Sequence, residues 1–221
     1  PGIVTSGLVL KQNYDLGAVV PISDGSAFFD GTNDYVDISI DNFCGADFSI
    51  GYWSKNDGSS PDYWKGLSLS TTYQEGMFIA HHRILGQDAL GNAWDKSFPS
   101  LDGVNGGPYG EWHYRAVTYD ISEKTFTLYV DDATPTTKTL VGNLKTDEDI
   151  LRIGRNTSYY FDGNICNVGI WSAVLTAAQI KSIMYKNYAG LNTSETTNLV
   201  SWWNLSADAN DNHGSNNGTL S

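Results

Sequence analysis

The sequence predicts an all-β protein: a β-sandwich of two antiparallel sheets in jelly-roll topology, carrying one short helix. Three observations support this. Short runs of alternating apolar and polar residues recur at about 8–12-residue spacing, separated by Gly, Asp and Asn. The composition suits strands and turns, with 13% aromatic residues, 7 Trp, 13 Tyr and 23 Gly. A single segment has helical spacing instead. The chain of 221 residues has no internal repeat and no linker, so residues 1–221 read as one domain. A fold of this size buries roughly 70% of the surface its unfolded chain exposes, so it needs no disulfide staples.

The elements follow in order. Residues 26–30 (SAFFD) and 35–40 (YVDISI) flank the turn GTND and read as strand, turn, strand. In residues 47–54 (DFSIGYWS), Phe48, Ile50 and Tyr52 alternate against Ser49, Gly51 and Trp53. Residues 65–70 (KGLSLS) and 76–85 (GMFIAHHRIL) are read as two further strands. Residues 111–120 (EWHYRAVTYD) and 125–131 (TFTLYVD) are joined by ISEK, a hairpin-length connection. Residues 150–154, 163–171 and 199–205 complete the strands. The helix is predicted over residues 176–188, where Ala177, Ile180, Ile183 and Met184 share a face. Thr176 with Gln179 forms a capping-box signal, and Gly190 lies just past the end. Residues 86–110 and 206–217 read as long loops, the first with room for one strand.

Charge and hydropathy exclude some partners. A net charge of −12 argues against nucleic acid and anionic membrane surfaces, because a phosphate ligand wants a cationic footprint. No apolar run approaches the roughly 18 residues of a membrane span. The opening residues show no basic start or apolar h-region, so no signal peptide is expected. Cys44 and Cys166 are the only cysteines. Placed in predicted strands, they read as buried free thiols, with one bridge between them as the alternative.

Several motifs, in this order, resemble the laminin-G-like branch of the concanavalin-A-like lectin and glucanase domains. FDGTNDYVDI (29–38) is similar to its first-sheet motif, and DFSIGYW (47–53) to the next strand. EWHYRAVTYD with TFTLYVDD resembles the central hairpin. YFDGNICNVGIWSAVLTAAQI (160–180) resembles the penultimate strand and its helix, and LVSWWNL with the Asn/Gly-rich tail resembles the closing strand. The opening GIVTSGLVL is similar to the start of such domains in phage tail and virion proteins. Three positions depart from the pattern: Asp131-Asp132 where Asp-Gly is usual, Asn167 where Asp is common, and Arg115 where an apolar residue is common. The fold hosts lectins, hydrolases, lyases and adhesion modules, so the resemblance speaks to fold more than to function.

Catalysis has weak support. Glycoside hydrolysis needs two carboxylates about 5–10 Å apart, and the Glu-x-Asp-x-x-Glu string of the glucanase relatives is absent. The acidic runs 129–132 and 146–149 read as turn acids. A polysaccharide lyase needs a His or Tyr base beside a cation. Alternation puts His81 and Arg83 on one face of the predicted strand 76–85, and His113 with Arg115 on one face of the next. Either pair is equally an ordinary polar outer face. For a metal, Asp30, Asn33, Asp34 and Asp162 offer the oxygens that Ca²⁺ takes, and the resemblance implies one bound Ca²⁺. Asp211, Asn212, His213 and Asn216 are a second group.

Sugar rings stack on aromatic faces, with polar groups taking their hydroxyls. Trp53, Trp112, Trp171 and Trp202 lie in strand motifs and are assigned to the core. Trp94, Trp64, Tyr63 and Tyr109 sit among Gly, Pro and Asp in predicted loops, where a ring has more reason to meet a ligand. Trp94 is the first candidate. Together with His81, Arg83, His113 and Arg115, these rings make up the predicted ligand-binding set. The sequence therefore reads as a non-catalytic recognition or adhesion module binding cell-surface glycan or a virion neighbour. The resemblance places it on a virion surface, with an extracellular setting as the alternative. A lyase-type enzyme on the same fold and a structural decoration protein with a homo-oligomeric contact are the competing readings.

Overall fold

The computed structural model describes residues 21–40, 43–57, 66–69, 77–145, 150–156 and 159–221. The early strands are β1 (Ala27–Asp30), β2 (Val36–Ser39), β3 (Phe48–Asn56), β4 (Leu67–Leu69), β5 (Met77–Ile79), β6 (Arg83–Gln87) and β7 (Ala93–Ser97). A small hairpin, β8 (Ser100–Leu101) and β9 (Val104–Asn105), precedes β10 (Trp112–Asp120), β11 (Thr125–Val130) and β12 (Thr136–Thr139). Then come β13 (Ile150–Ile153), β14 (Asp162–Trp171), α1 (Ala177–Met184), α2 (Thr193–Thr196), β15 (Leu199–Trp203) and β16 (Thr219–Leu220).

These strands form the predicted sandwich. The first sheet runs β1-β14-β3-β10-β11-β12, with β15 also against β14, and the second runs β16-β2-β13-β4-β5-β6-β7. Every pairing is antiparallel. β1 and β15 share one edge of β14: β1 pairs residues 162–165 and β15 pairs residues 168–171. Between them the register shifts and Asn167 turns into the left-handed region at φ 49°.

Alternation sorts the side chains into two layers. Phe48, Ile50, Tyr52, Val117, Tyr119, Phe126 and Leu128 enter the core between the sheets, where they meet Val36, Ile38, Met77, Ile79 and Ile153. The other face of the first sheet carries Trp53, Tyr114, Ala116, Cys166, Trp171 and Trp202 beneath Ile180, Ile183 and Met184 of α1. That sheet is therefore buried on both faces. Its tryptophans keep their indole N–H groups satisfied, as buried rings require. Trp53 donates to Met184 O at 3.0 Å and Trp171 to Glu195 O at 2.7 Å. Trp112 is only half-buried.

The helix begins as predicted. Thr176 is the N-cap and Gln179 completes the capping box, but the helix ends at Met184, and a 3-10 turn (Tyr188–Gly190) replaces its last residues. Residues 26–40 give strand, turn and strand as expected, with β1 and β2 in different sheets. Other expectations change. The predicted strand 76–85 is two strands, folded back where Ala80 N donates to Arg83 O at 2.9 Å. Cys44 lies in a 3-10 turn rather than a strand, and both cysteines are buried and not joined in a disulfide. β12, with its half-exposed TTKT, carries too little apolar signal to be predicted.

Candidate functional site

One end of the sandwich gathers the C-terminal ends of β1, β3, β5, β11 and β13 with the N-terminal ends of β2, β4, β6, β10 and β14. Backbone bonds knit this end together: Gly31 N to Phe161 O at 2.9 Å, Asp57 N to Asp162 O at 3.0 Å, Gly110 N to Asn56 O at 2.9 Å, and Gly154 N to Gly66 O at 2.7 Å. Asp30, Asn33, Asp34, His81, Arg83, Tyr109, His113, Arg115 and Asp162 all stand on these strand ends and loops.

Arg115 organises the inner wall. Its strand alternation points it between the sheets, on the same face as His113, Val117 and Tyr119, and it is wholly buried. Among the described residues no carboxylate bonds its guanidinium. It donates from Nε to His81 O at 3.0 Å, from one terminal nitrogen to Ser54 Oγ at 2.7 Å, and from the other to Gly106 O at 2.5 Å and His81 Nδ1 at 2.9 Å. A guanidinium can only donate, so His81 Nδ1 is the acceptor and the proton sits on Nε2. His81 Nε2 then donates to Gly107 O at 2.9 Å. Burial, then the charge of Arg115, push the His81 pKa down to about 2, so the ring stays neutral. Burial also lowers the pKa of Arg115 from its ordinary value.

The sequence Asn105-Gly-Gly-Pro-Tyr109 lets the chain lie flat on this wall. A Cβ on Gly106 would stand 2.0 Å from His81 O, and one on Gly107 would stand 2.5 Å from His113 Nε2. Both glycines also sit at positive φ, 78° and 92°. The loop then places the Tyr109 ring over His81, with centroids 4.5 Å apart and planes 20° from parallel. Tyr109 keeps 45% of its surface exposed.

Beside this stack, His113 Nδ1 donates to Asp131 Oδ2 at 2.7 Å, while Asp131 Oδ1 accepts from Tyr114 N at 2.7 Å. Asp131 takes φ 45° at the turn where the sequence departs from Asp-Gly. His113 Nε2 is buried and makes no hydrogen bond. Further along the same end, Arg155 lies over the Tyr35 ring at 3.9 Å, and Tyr35 neighbours Tyr160 at 6.3 Å. Tyr159 is 49% exposed.

The structure corrects several placements. Trp94 is not a loop residue. It lies in β7, is 7% exposed, and stacks on Phe126 at 4.9 Å within the main core. Arg83 does not share a face with His81, because a turn separates them, and it pairs with Asp95 at 3.1 Å. His81, His113 and Arg115 converge as the lyase reading required, but they face inward rather than forming an outer surface. Tyr63 and Trp64 lie outside the described residues. Sequence reasoning missed Asp131, Ser54, Tyr35, Tyr159 and Tyr160. The Gly-Gly pair before Tyr109 and the odd Asp131 turn were the available signals.

Of the predicted metal residues, Asp30, Asp34 and Asp211 form turns with their carboxylates. Asp30 Oδ1 accepts from Thr32 N at 2.8 Å and from Asn33 N at 3.3 Å, and Asp34 Oδ2 accepts from Asp30 N at 3.1 Å. Asp211 Oδ1 accepts from the backbone N–H groups of Trp202, His213 and Gly214, and its Oδ2 accepts from Asn216 N. Among the described residues no group of three or more His, Cys, Asp or Glu side chains is placed to hold a metal ion.

Two antiparallel sheets face to face, with side chains from many separate segments brought to one loop end, define a lectin-type β-sandwich. The chain belongs to the concanavalin A-like lectin/glucanases superfamily, whose laminin-G-type model matches residues 30–181. No curated protein matches the chain. Among solved structures it is similar to a candidate carbohydrate-binding protein from Bacteroides ovatus, at TM-score 0.63 and 16% identity over 87% of this chain. The chain spans 57% of the length of that protein. It is also similar to the CBM40 module of a Ruminococcus gnavus IT-sialidase, at TM-score 0.52 and 13% identity, covering 74% of this chain and all of the module. A heptameric SAP-like pentraxin from Limulus polyphemus matches at TM-score 0.52 and 12% identity, over 75% of this chain and 84% of its own.

Proposed function

We propose that this chain is a non-catalytic recognition module that binds glycan at the loop end, with Tyr109 as its platform. The observation that carries this is the half-exposed Tyr109 ring, held parallel to a neutral His81 that is itself clamped by buried Arg115. An aromatic ring fixed in this way stacks on the C–H face of a pyranose without the cost of ordering a free side chain. The carbohydrate-binding neighbours and the superfamily support the same reading.

The histidines favour a binder over a lyase. Both ring nitrogens of His81 are engaged, and His113 Nε2 is sealed beneath Gly107, so neither presents a base to a substrate. A virion-surface setting rests on the sequence, on its phage-like opening together with its low charge density. The test is a broad glycan array followed by calorimetry on the best binder. Binding that is lost in Tyr109→Ala, with no product released from polysaccharides, supports the proposal. Depolymerisation abolished by His113→Ala would overturn it.

A further inference from the structure

Resting on glycan recognition at this end, we propose that Arg155 is a second contact there and takes a single carboxylate or sulfate borne by a glycan.

Arg155 is rooted in a tight hairpin. Gly154 N donates to Gly66 O at 2.7 Å, Phe161 N to Gly154 O at 2.7 Å, and Asn156 N to Tyr159 O at 3.0 Å. Arg155 itself bridges to Tyr160. Gly154 takes φ 87°, and a Cβ there would run into the Phe29 ring, so glycine lets this hairpin close against β1. Tyr35 is held from the other side, where its N–H donates to Ser221 O at 3.1 Å and its carbonyl accepts from Ser221 N at 3.0 Å. The guanidinium lies over the Tyr35 ring at 3.9 Å. Stacked in this way, a guanidinium is already ordered before a ligand arrives.

The chain supplies no acid for it. Among the described residues no carboxylate pairs with Arg155, and its Nε is buried without a hydrogen bond. Arg152, three residues earlier, shows the ordinary outcome: its Nε pairs with Asp37 at 3.1 Å across β13 and β2. Lys55, Arg83 and Lys181 likewise pair with Asp57, Asp95 and Asp132. The acids just before Tyr35 spend oxygens on their own turn, with Asp34 Oδ2 accepting from Asp30 N, and Asp30 Oδ1 from Thr32 N and Asn33 N. A buried donor with no acceptor is rare and costly, and it calls for an explanation. A planar carboxylate or a sulfate offers the oxygens that a guanidinium fork matches. Arg155 is only half-buried, and the exposed Tyr159 and half-buried Tyr160 of the same hairpin offer ring surface to the sugar that carries the anion.

One guanidinium takes one anion. The chain has 25 acidic residues against 13 basic ones, which opposes a densely charged polymer. A lone charge feels chiefly its local partners, because screening acts beyond about 8 Å at physiological salt.

The experiment uses a galactose-terminated oligosaccharide, its monosulfated form and its form capped by one uronate. Binding to wild type, Arg155→Gln and Arg155→Lys is measured by calorimetry, and circular dichroism confirms that the variants are folded. Wild type should bind each acidic form at least about fivefold more tightly than the neutral parent. In Arg155→Gln the acidic and neutral forms should bind alike, and Arg155→Lys should recover part of the preference. A heavily sulfated chain should bind no better than the monosulfated form. In ¹⁵N-labelled protein the Arg155 Nε–H resonance, assigned by its loss in Arg155→Lys, should move with the acidic forms and stay still with the neutral one. Equal or weaker binding of the acidic forms, a preference that survives in Arg155→Gln, or a resonance indifferent to them overturns this inference while leaving glycan recognition intact. If only one acidic form gains, the other anion is struck from the proposal. An array on which nothing binds removes the glycan reading itself, and the inference with it.

Discussion

Arg115 and His81 are joined twice: the guanidinium donates from Nε to the His81 carbonyl and from a terminal nitrogen to the His81 ring. One residue comes from the middle of the first sheet and the other from a turn of the second. The pair therefore closes the sandwich at its loop end. Arg115→Met should leave His81 O, His81 Nδ1 and Gly106 O without a donor. At about 1–3 kcal/mol for each unsatisfied buried group, a loss of at least about 3 kcal/mol is expected in urea unfolding. Glycan binding should fall with it, because Tyr109 rests on His81.

Acid sensitivity should begin at a higher pH than the carboxylates dictate. Unfolded His81 takes up a proton near 6.5, whereas the folded ring does so only near 2. Between these values the unfolded state binds more protons, so stability falls as pH drops below about 6.5, by up to about 1.4 kcal/mol per unit. Asp211 is also buried, which raises its pKa, but the N–H groups of Gly214, Trp202 and His213 outweigh this and hold it below its usual 3.8. For Glu195 burial likewise acts upward, and Lys186 and Ser182 bring it below 4.5. Those carboxylates lose their contribution only below these values. Urea midpoints at pH 6.5 and pH 5 should therefore differ, and the difference should shrink in His81→Asn, which keeps an acceptor for Arg115.

Two glycines in one loop should respond differently to alanine. Gly107 at φ 92° would drive its Cβ to 2.5 Å from the His113 ring, whereas Gly103 at φ 82° meets nothing within 4 Å. Gly103→Ala should cost about 1 kcal/mol of backbone strain. Gly107→Ala adds a clash to that strain, so it should cost several times as much and lift the loop off the wall. Thermal melts and proteolysis within residues 98–110 report both.

Trp94 gives up the ligand role its sequence surroundings suggest, whereas Tyr109 keeps the exposed position expected of it. Trp94→Ala removes a ring stacked in the core and should lower stability by about 3–5 kcal/mol. Tyr109→Ala should cost little stability and abolish glycan binding. If the losses are reversed, the assignment of the platform is wrong.

The Asp30 and Asp211 turns are satisfied by their own backbone N–H groups. Melting temperature should accordingly be the same in calcium and in chelator, whereas a ligand at 100 times its Kd would add about 2.7 kcal/mol. Asp211→Ala should destabilise by about 2 kcal/mol or more, since several N–H groups lose their acceptor.

The long strands were legible because their alternation is long. Residues 47–54 and 111–120 announce β3 and β10, and the helix announces itself through Thr176, Gln179 and the Ile180–Met184 stripe. The loop end was legible only in part. His81 lies in an apolar run with no Gly or Pro to mark its turn, so periodicity carried the strand straight through it. Trp94 sits on a short strand among Gly, Asn and Asp, which disguises a core position as a loop. The inward direction of Arg115 was hidden because a charged residue on a strand is ordinarily assigned to the wet face. Only the pairing of distant segments shows its acceptors.

The shared edge of β14 bears on how such a module yields under load. β1 holds residues 162–165, and β15 holds residues 168–171 beyond the break at Asn167. Tension entering through β1 is thus confined to one half of that edge. It can peel this strand away while β15, α1 and the tryptophan layer stay in place. A pull from that side would load the β1 pairing before the β15 pairing, since the two share no residue of β14.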